Sequence, residues 1–256
     1  MTEHKKIRGH TSLENALRAL KSFSEDEPEM GVSELSKKLG LGVSTTHRLL
    51  STLAQEDFVV KNPATNKYTI GLSVLQLTNT VTEQIRIIKE SQPVLQRLTE
   101  ETGESSHIGI IDGEHVIYLQ KVDGIHPVKL DSHLGKRNPI HCTSSGQAIL
   151  AFQPEEMITD RLFRPLKEYT EYTLTEPEEL KRKLINIRSN GFVTSNQEFR
   201  KNIYSIGAPI YKTSNNVIAS INIAGPVQRI KPNKKNFIDK VLEASRQLSS
   251  IIQQRS

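Results

Sequence analysis

Hydrophobic residues in the first seventy positions recur at helical spacing in three short blocks. Leu13, Ala16, Leu17 and Leu20 make the first block, opened by Thr11 and Glu14 at capping-box spacing. "SEDEPEMG" then reads as a polar loop, with Pro28 and Gly31 as breakers. Ser33 is the expected N-cap of a short second helix through Leu35 and Leu39, with Gly40 placed to stop it in a left-handed conformation. In the third block Thr46, Leu49, Leu50 and Leu53 form a buried stripe. The opposite face carries Ser44, Thr45, His47, Arg48, Ser51 and Thr52. Two strand-like runs follow, 58–60 and 68–70, around a turn containing Asn62, Pro63 and Asn66. Three helices and a hairpin in this order predict a winged helix-turn-helix.

From Leu72 to Lys89 no Pro or Gly intervenes, and Val74, Leu77, Val81, Ile85 and Ile88 recur near heptad spacing. This predicts a linker helix with an apolar seam that suits pairing with a second copy. A further helix is expected from Pro93 to Gly103. The texture then changes. "SSHIGIIDGEHVIYLQKVD" reads as two strands joined at Asp112-Gly113, and "HPVKLDSHLG" as more strand. "CTSSGQAILAF" is expected to be helical after a capping start, and "EPEELKRKLINIRSNGF" to be a helix ended by Asn190-Gly191. Two strands are expected around Asn215-Asn216, and a last helix around "FIDKVLEASRQLSSIIQQ". Helices mixed with hairpin-linked strands predict an α+β chain with an antiparallel sheet.

A chain of 256 residues has room for two domains, and 36% hydrophobic residues suffice for ordinary cores. The single cysteine excludes an intrachain disulfide framework. No run reaches the apolar length of a membrane span, and "MTEHKKIRGHTSLENAL" has no signal-like core. The expectation is a soluble, cytoplasmic protein. The net charge of +5 invites a nucleic-acid reading, but residues 1–72 hold ten Lys/Arg against nine Asp/Glu, a net of +1. The surplus lies in "KRKLINIRSNGFVTSNQEFRK" and "QRIKPNKKN", runs that ordinarily form solvated faces. Charge alone therefore does little for DNA binding.

Ser44, Thr45, His47 and Arg48 offer the short polar and basic side chains a recognition helix presents to the major groove. Lys61 and Lys67 on the wing suit phosphates. Taken alone, these residues serve equally as the solvated face of a helical hairpin. "HCTSSGQAIL" pairs Cys142 with His141, but neighbours on an extended chain point apart and no orienting acid is recognisable, so catalysis is not expected. "TSSGQ" lacks a flanking glycine of the nucleophile elbow. The amides from Thr143 to Gly146, at a helix start, suit an anion, or else are simply capped by Thr143 and Ser144. His107, Asp112, His115 and Cys142 match no zinc spacing, and no metal or cofactor is expected.

Over nearly its whole length the chain resembles the IclR family of bacterial transcription regulators. The carrying stretches are "GVSELSKKLGLGVSTTHRLLSTLAQEDFV" with "YTIGLSVLQL", then "LTEETGESSHIGI", "IHCTSSGQAILA", "EELKRKLINIRSNGF" and "GAPIY…VIASINIAGP". The resemblance implies a winged helix-turn-helix over 1–72, a linker helix over 73–90 and a GAF/profilin-like effector domain over 91–256. It implies a homodimer or dimer of dimers, operator DNA as partner, and an effector-controlled regulator, expected to be a repressor; the free amides at the helix start near Thr143 point to a small organic acid as the effector. The rival class is an enzyme or a plain small-molecule sensor using the C-terminal domain. The implied effector pocket includes Cys142, Ser144 and Ser145, with Ser195, Ser205, Asn222 and Ala224 from the later strands. Asn138 joins them as a further neutral polar group. Ser195 departs from the acidic residue often found at that position, and Ser144 and Ser145 from smaller ones, so effector identity does not carry over. Asn222 has a rival reading as a buried polar residue satisfied by its own surroundings.

Overall fold

The computed structural model describes residues 10–24, 26–126, 128, 130, 132–214 and 216–254. Expectations resting on residues 1–9 or on Asn215 lie outside them. The chain divides between Gln84 and Ile85 into two compact units.

In the first unit, α1 (Ser12–Leu20), β1 (Glu29–Met30), α2 (Val32–Leu39), α3 (Val43–Gln55), β2 (Val59–Lys61) and β3 (Tyr68–Ile70) precede α4 (Ser73–Gln84). Thr11 and Glu14 cap α1 reciprocally. The buried face of α1 differs from the expected stripe. Asn15 and Ala19 are buried, while Leu13 and Leu17 are exposed. A polar tie turns the helix: Arg18 Nη1 donates to Asn15 Oδ1 at 3.0 Å and Nη2 to the Leu39 carbonyl at 3.1 Å. Helix α2 is capped at Gly31 rather than Ser33, because Glu34 reaches back to accept from the Gly31 amide at 2.7 Å. Gly40 ends α2 at φ 68°, ψ 35°, a conformation that costs other residues a Cβ clash. The wing is three-stranded, with order β1-β3-β2; the two-residue β1 is too short to show in the sequence pattern. Leu35, Leu39, Leu50, Leu53 and Tyr68 anchor this unit's core.

The expected continuous helix from 73 to 90 is interrupted. Ile85 has non-helical backbone (φ −91°, ψ 83°), and α5 (Arg86–Thr102) starts there rather than at Pro93. Ile87, Val94, Leu95 and Leu98 share one buried face of α5, and that packing outweighs the proline within the helix. The apolar seam divides accordingly. Leu77 and Val81 are exposed, whereas Ile85 and Ile88 pack on the second unit's core.

That unit continues with β4 (Ser105–Asp112), β5 (His115–Val122), β6 (Arg137–Pro139), α6 (Ser144–Leu150), α7 (Glu155–Leu162), α8 (Pro177–Asn190), β7 (Val193–Asn196), β8 (Ile203–Thr213), β9 (Asn216–Pro226), α9 (Val227–Ile230) and α10 (Lys234–Gln254). The six strands form one antiparallel sheet, β6-β5-β4-β9-β8-β7. The described residues of "HPVKLDSHLG" are not in a strand. Helices α5 and α10 cover one face, and α6, with α8 behind it, packs on the other. Successive strand residues point to opposite faces. Ile206, Ala208, Ile210, Ala219, Ile221 and Ile223 therefore enter the core under α5 and α10. Their alternate neighbours face α6, which rests close on the sheet. A Cβ on Gly207 would lie 3.1 Å from the Ser144 carbonyl oxygen, and one on Gly146 would lie 2.4 Å from that of Ile140. Among the described residues, no helix is long and apolar enough to cross a membrane.

Candidate functional site

The first site is the outer face of α3. Thr46, Leu50 and Leu53 turn inward, and the Thr46 hydroxyl donates to the Gly42 carbonyl at 3.1 Å. Ser44, Thr45, His47 and Arg48 are all exposed. Among the described residues, nothing pairs with the Arg48 guanidinium or the exposed Lys61 ammonium. Lys67 differs. It is half-buried, with its Nζ 3.6 Å from Glu34 and 3.9 Å from Glu29. The Gly31 amide and then Lys67 hold the Glu34 carboxyl below its usual range, so an anion faces the lysine. Of the two wing lysines, Lys61 alone presents an unopposed charge.

The second site is a cavity of about 480 Å³, its mouth included, between the sheet and the start of α6. Strand alternation builds its floor. The register pairs Ser205 with Ala224, Asn222 with His107, and Ser195 with Ser205, which carries the line across neighbouring strands. Asn138, Cys142, Ser144, Ser195, Ser205, Asn222 and Ala224 all line the cavity. Ser145 does not. It is fully buried behind the wall, where its hydroxyl donates to Asn222 Oδ1 at 2.7 Å and hydrogen-bonds the Tyr118 phenol, which also bonds Asn138. Ser195 donates to the Cys142 carbonyl at 3.2 Å and fixes the turn before α6. Thr143 caps α6 by accepting from the Gly146 amide at 3.2 Å. The amides of Ser144 and Ser145 keep no partner among the described residues.

Several lining groups were not singled out in the sequence. Glu198, Phe199 and Arg200 come from the turn between β7 and β8, which is bracketed by Gln197 and Asn202 at positive φ. Glu198 is buried, yet both its oxygens are occupied: Oε2 accepts from Gln147 at 2.8 Å and Oε1 from Lys183 at 2.5 Å. His107 and Tyr118 reach the cavity from β4 and β5. Burial pushes the His107 imidazole down to about 3, so it is neutral at physiological pH. Its Nε2 lies 2.8 Å from Ser132 Oγ, and its buried Nδ1 has no partner among the described residues. Its partner across the sheet, Asn222, shows only in the register.

The cavity's lining offers hydrogen-bonding groups and no activated thiolate. Burial pushes the Cys142 thiol up, keeping it protonated and un-nucleophilic. His141 points into a different cavity, with Nε2 3.0 Å from the Lys167 carbonyl oxygen. Asp112 and His115 are exposed at a hairpin end, while His107 is buried. Among the described residues no cluster of three or more His, Cys, Asp or Glu could hold a metal.

Comparison with known proteins bears on both sites. The IclR helix-turn-helix model matches residues 12–63, and the model for the bacterial transcriptional regulator IclR C-terminal region matches 79–250. The transcriptional repressor IclR of Escherichia coli is 29% identical over 242 residues, covering 93% of this chain and 88% of its own. The crystal structure of the Thermotoga maritima IclR superposes with a TM-score of 0.79 at 27% identity, covering 94% of this chain and 98% of that one. An IclR homologue from Microbacterium hydrocarbonoxydans, complexed with 4-hydroxybenzoate, shares the fold at a TM-score of 0.85 and 22% identity. That match covers 96% of this chain and 100% of that one.

Proposed function

The chain belongs to the IclR family of transcriptional regulators, which are not enzymes, and we propose that it is a cytoplasmic repressor whose operator affinity is set by a small organic acid. The observation that carries this reading is the pairing, in one chain, of an unpartnered polar face on α3 with a cavity lined by neutral polar side chains in the second unit. Ser44, Thr45, His47 and Arg48 read base edges, Arg48 through the guanidinium fork that matches guanine. Lys61 touches phosphate, and Lys67 contributes less because Glu29 and Glu34 oppose it. The exposed leucines of α1 and the Leu77–Val81 face of α4 suit a homodimer that presents two recognition helices to a two-fold operator. Dimers of dimers are the larger assembly.

The effector lies against Asn138, Cys142, Ser144, Ser195, Ser205, Asn222 and Ala224, with Ser145 orienting Asn222 from behind. Its carboxylate meets the Ser144 amide at the start of α6. Glu198 is neutralised by Lys183, so it does not repel the carboxylate. The 4-hydroxybenzoate held by the Microbacterium homologue and the repressor name of the E. coli relative support this reading. The test is fluorescence anisotropy on the promoter upstream of the protein's own gene, at fixed salt, with and without a panel of organic acids ranked by thermal shift. Specific binding that a carboxylate weakens is the expected result. Linkage requires the operator to weaken that acid's binding by the same factor in calorimetry. Absence of specific binding, or a response confined to neutral or cationic compounds, overturns the reading.

A further inference from the structure

A second cavity in the C-terminal unit, about 590 Å³ with its open mouth, lies back to back with the first. The two share a wall. His141 faces one and Cys142 the other, and Tyr169, lining the second cavity, packs edge-on against Phe199, lining the first, at 5.1 Å between ring centroids. The floor of the second cavity is apolar, made by Ile140, Leu150, Leu166 and Leu180. Its rim carries Arg161, Arg164 and Lys167, against Glu114 as the one lining carboxylate.

The charges there are unevenly matched. The Arg161 side chain is only 17% exposed, and its nearest carboxylate oxygen, Glu114 Oε1, is 3.5 Å away. That same oxygen is held more closely by Arg164, which also reaches Asp160 at 3.0 Å. Arg161 otherwise donates to the Gly113 carbonyl at 2.6 Å. Lys167 has no carboxylate partner among the described residues; its ammonium lies 5.1 Å from the centroid of the Tyr169 ring. A guanidinium withdrawn from water needs an anion close by to offset its lost hydration. His141 adds a directional group. Its Nε2 faces a carbonyl oxygen at 3.0 Å, so that nitrogen holds the proton and Nδ1 is a bare acceptor, for which the described residues supply no donor.

We infer that this cavity is a second ligand site, which takes a small organic anion bearing a hydroxyl group on an apolar body. The carboxylate sits between Arg161 and Lys167, the hydroxyl donates to His141 Nδ1, and the body lies on Leu150 and Leu180. This anion is distinct from the effector, and the site stands whether or not the first cavity binds one.

Mandelate, an aromatic hydroxy acid, is the probe. The full chain, methyl-labelled at Ile, Leu and Ala, is titrated and followed by NMR. Ile140, Leu150 and Leu180 report the second cavity; Ile203 and Ala224 report the first. Saturable shifts at the second-cavity methyls are expected. Both the uncharged mandelamide and the exposed-residue variant Lys167→Gln should weaken them about tenfold, the scale of one charge-assisted contact. Phenylacetate, lacking the hydroxyl, should bind more weakly than mandelate. Three results overturn the inference: no shift at these methyls up to about 20 mM mandelate, beyond the range of a specific weak site; shifts at Ile203 and Ala224 alone; or mandelamide binding as well as mandelate. Phenylacetate binding as tightly as mandelate likewise overturns it, because the hydroxyl contact to His141 is part of the assignment. Because these methyls report where the probe binds, without DNA, failure here is separable from failure of the repressor reading.

Discussion

Replacing His107 with Asn should flatten the acid side of the protein's stability profile. His107 is fully buried and neutral, with its pKa pushed from 6.5 to about 3 by burial. In the unfolded chain the imidazole takes up a proton near its ordinary pKa, while the native state refuses it. A depressed native pKa means that stability is intact above about pH 6.5 and is lost as the pH falls towards 3. Within that window the loss runs at about 1.4 kcal/mol per pH unit, or about 2 kcal/mol by pH 5. The assay is urea unfolding by far-ultraviolet circular dichroism, comparing about pH 7.5 with about pH 5 at fixed protein concentration. His107→Asn should lower stability at neutral pH by leaving a gap, yet lose about 2 kcal/mol less than wild type between the two pH values. His141, also lowered by burial, titrates in both proteins and cancels in the comparison. Equal losses in variant and wild type would refute the argument, because His107 would then carry the same proton in both states.

Three further outcomes follow from the two sites. Arg48→Ala should cost about 1–3 kcal/mol of specific operator binding, and Lys67→Ala much less than Lys61→Ala; anisotropy at controlled salt checks both. Val81→Asp should weaken self-association and operator binding together, and light scattering showing an unchanged assembly would remove α4 from the dimer contact. Ala224→Leu should fill the effector cavity and abolish the response to the organic acid while operator affinity is kept; a surviving response would place the effector elsewhere.

The sequence revealed most where a local rule and tertiary packing agreed. The Thr11 capping box, the Gly40 stop and the inward stripe of α3 all follow from spacing alone. It misled where packing overrode local preference. Pro93 marked a helix start by the local rule, but the apolar face from Ile87 to Leu98 carries α5 through it. The heptad-like spacing from Val74 to Ile88 hid the break at Ile85, because periodicity does not say which core each residue joins. In the cavity, strand and turn residues matched by family motifs were identifiable. Glu198, Phe199 and Arg200 were not, since a polar turn gives no periodic signal of which way it folds back. Ser145 was assigned to the lining because the family resemblance places this helix start in the pocket, but one helical step sends it behind the wall.

The alternation along β9 has a consequence for how such a sensor changes over generations. Ala219, Ile221 and Ile223 hold up the domain, and the residues between and beyond them, Ser220, Asn222 and Ala224, face the α6 side. Scaffold and cavity lining are thus threaded through one strand, one position apart. A point substitution at Asn222 or Ala224 alters the cavity wall and leaves the framework alone, so the lining is free to drift by single steps. An insertion of one residue in the same strand does the opposite: it turns isoleucines towards the cavity and Asn222 into the core. Lineages of this fold should therefore tolerate many replacements in β9 and almost no changes in its length.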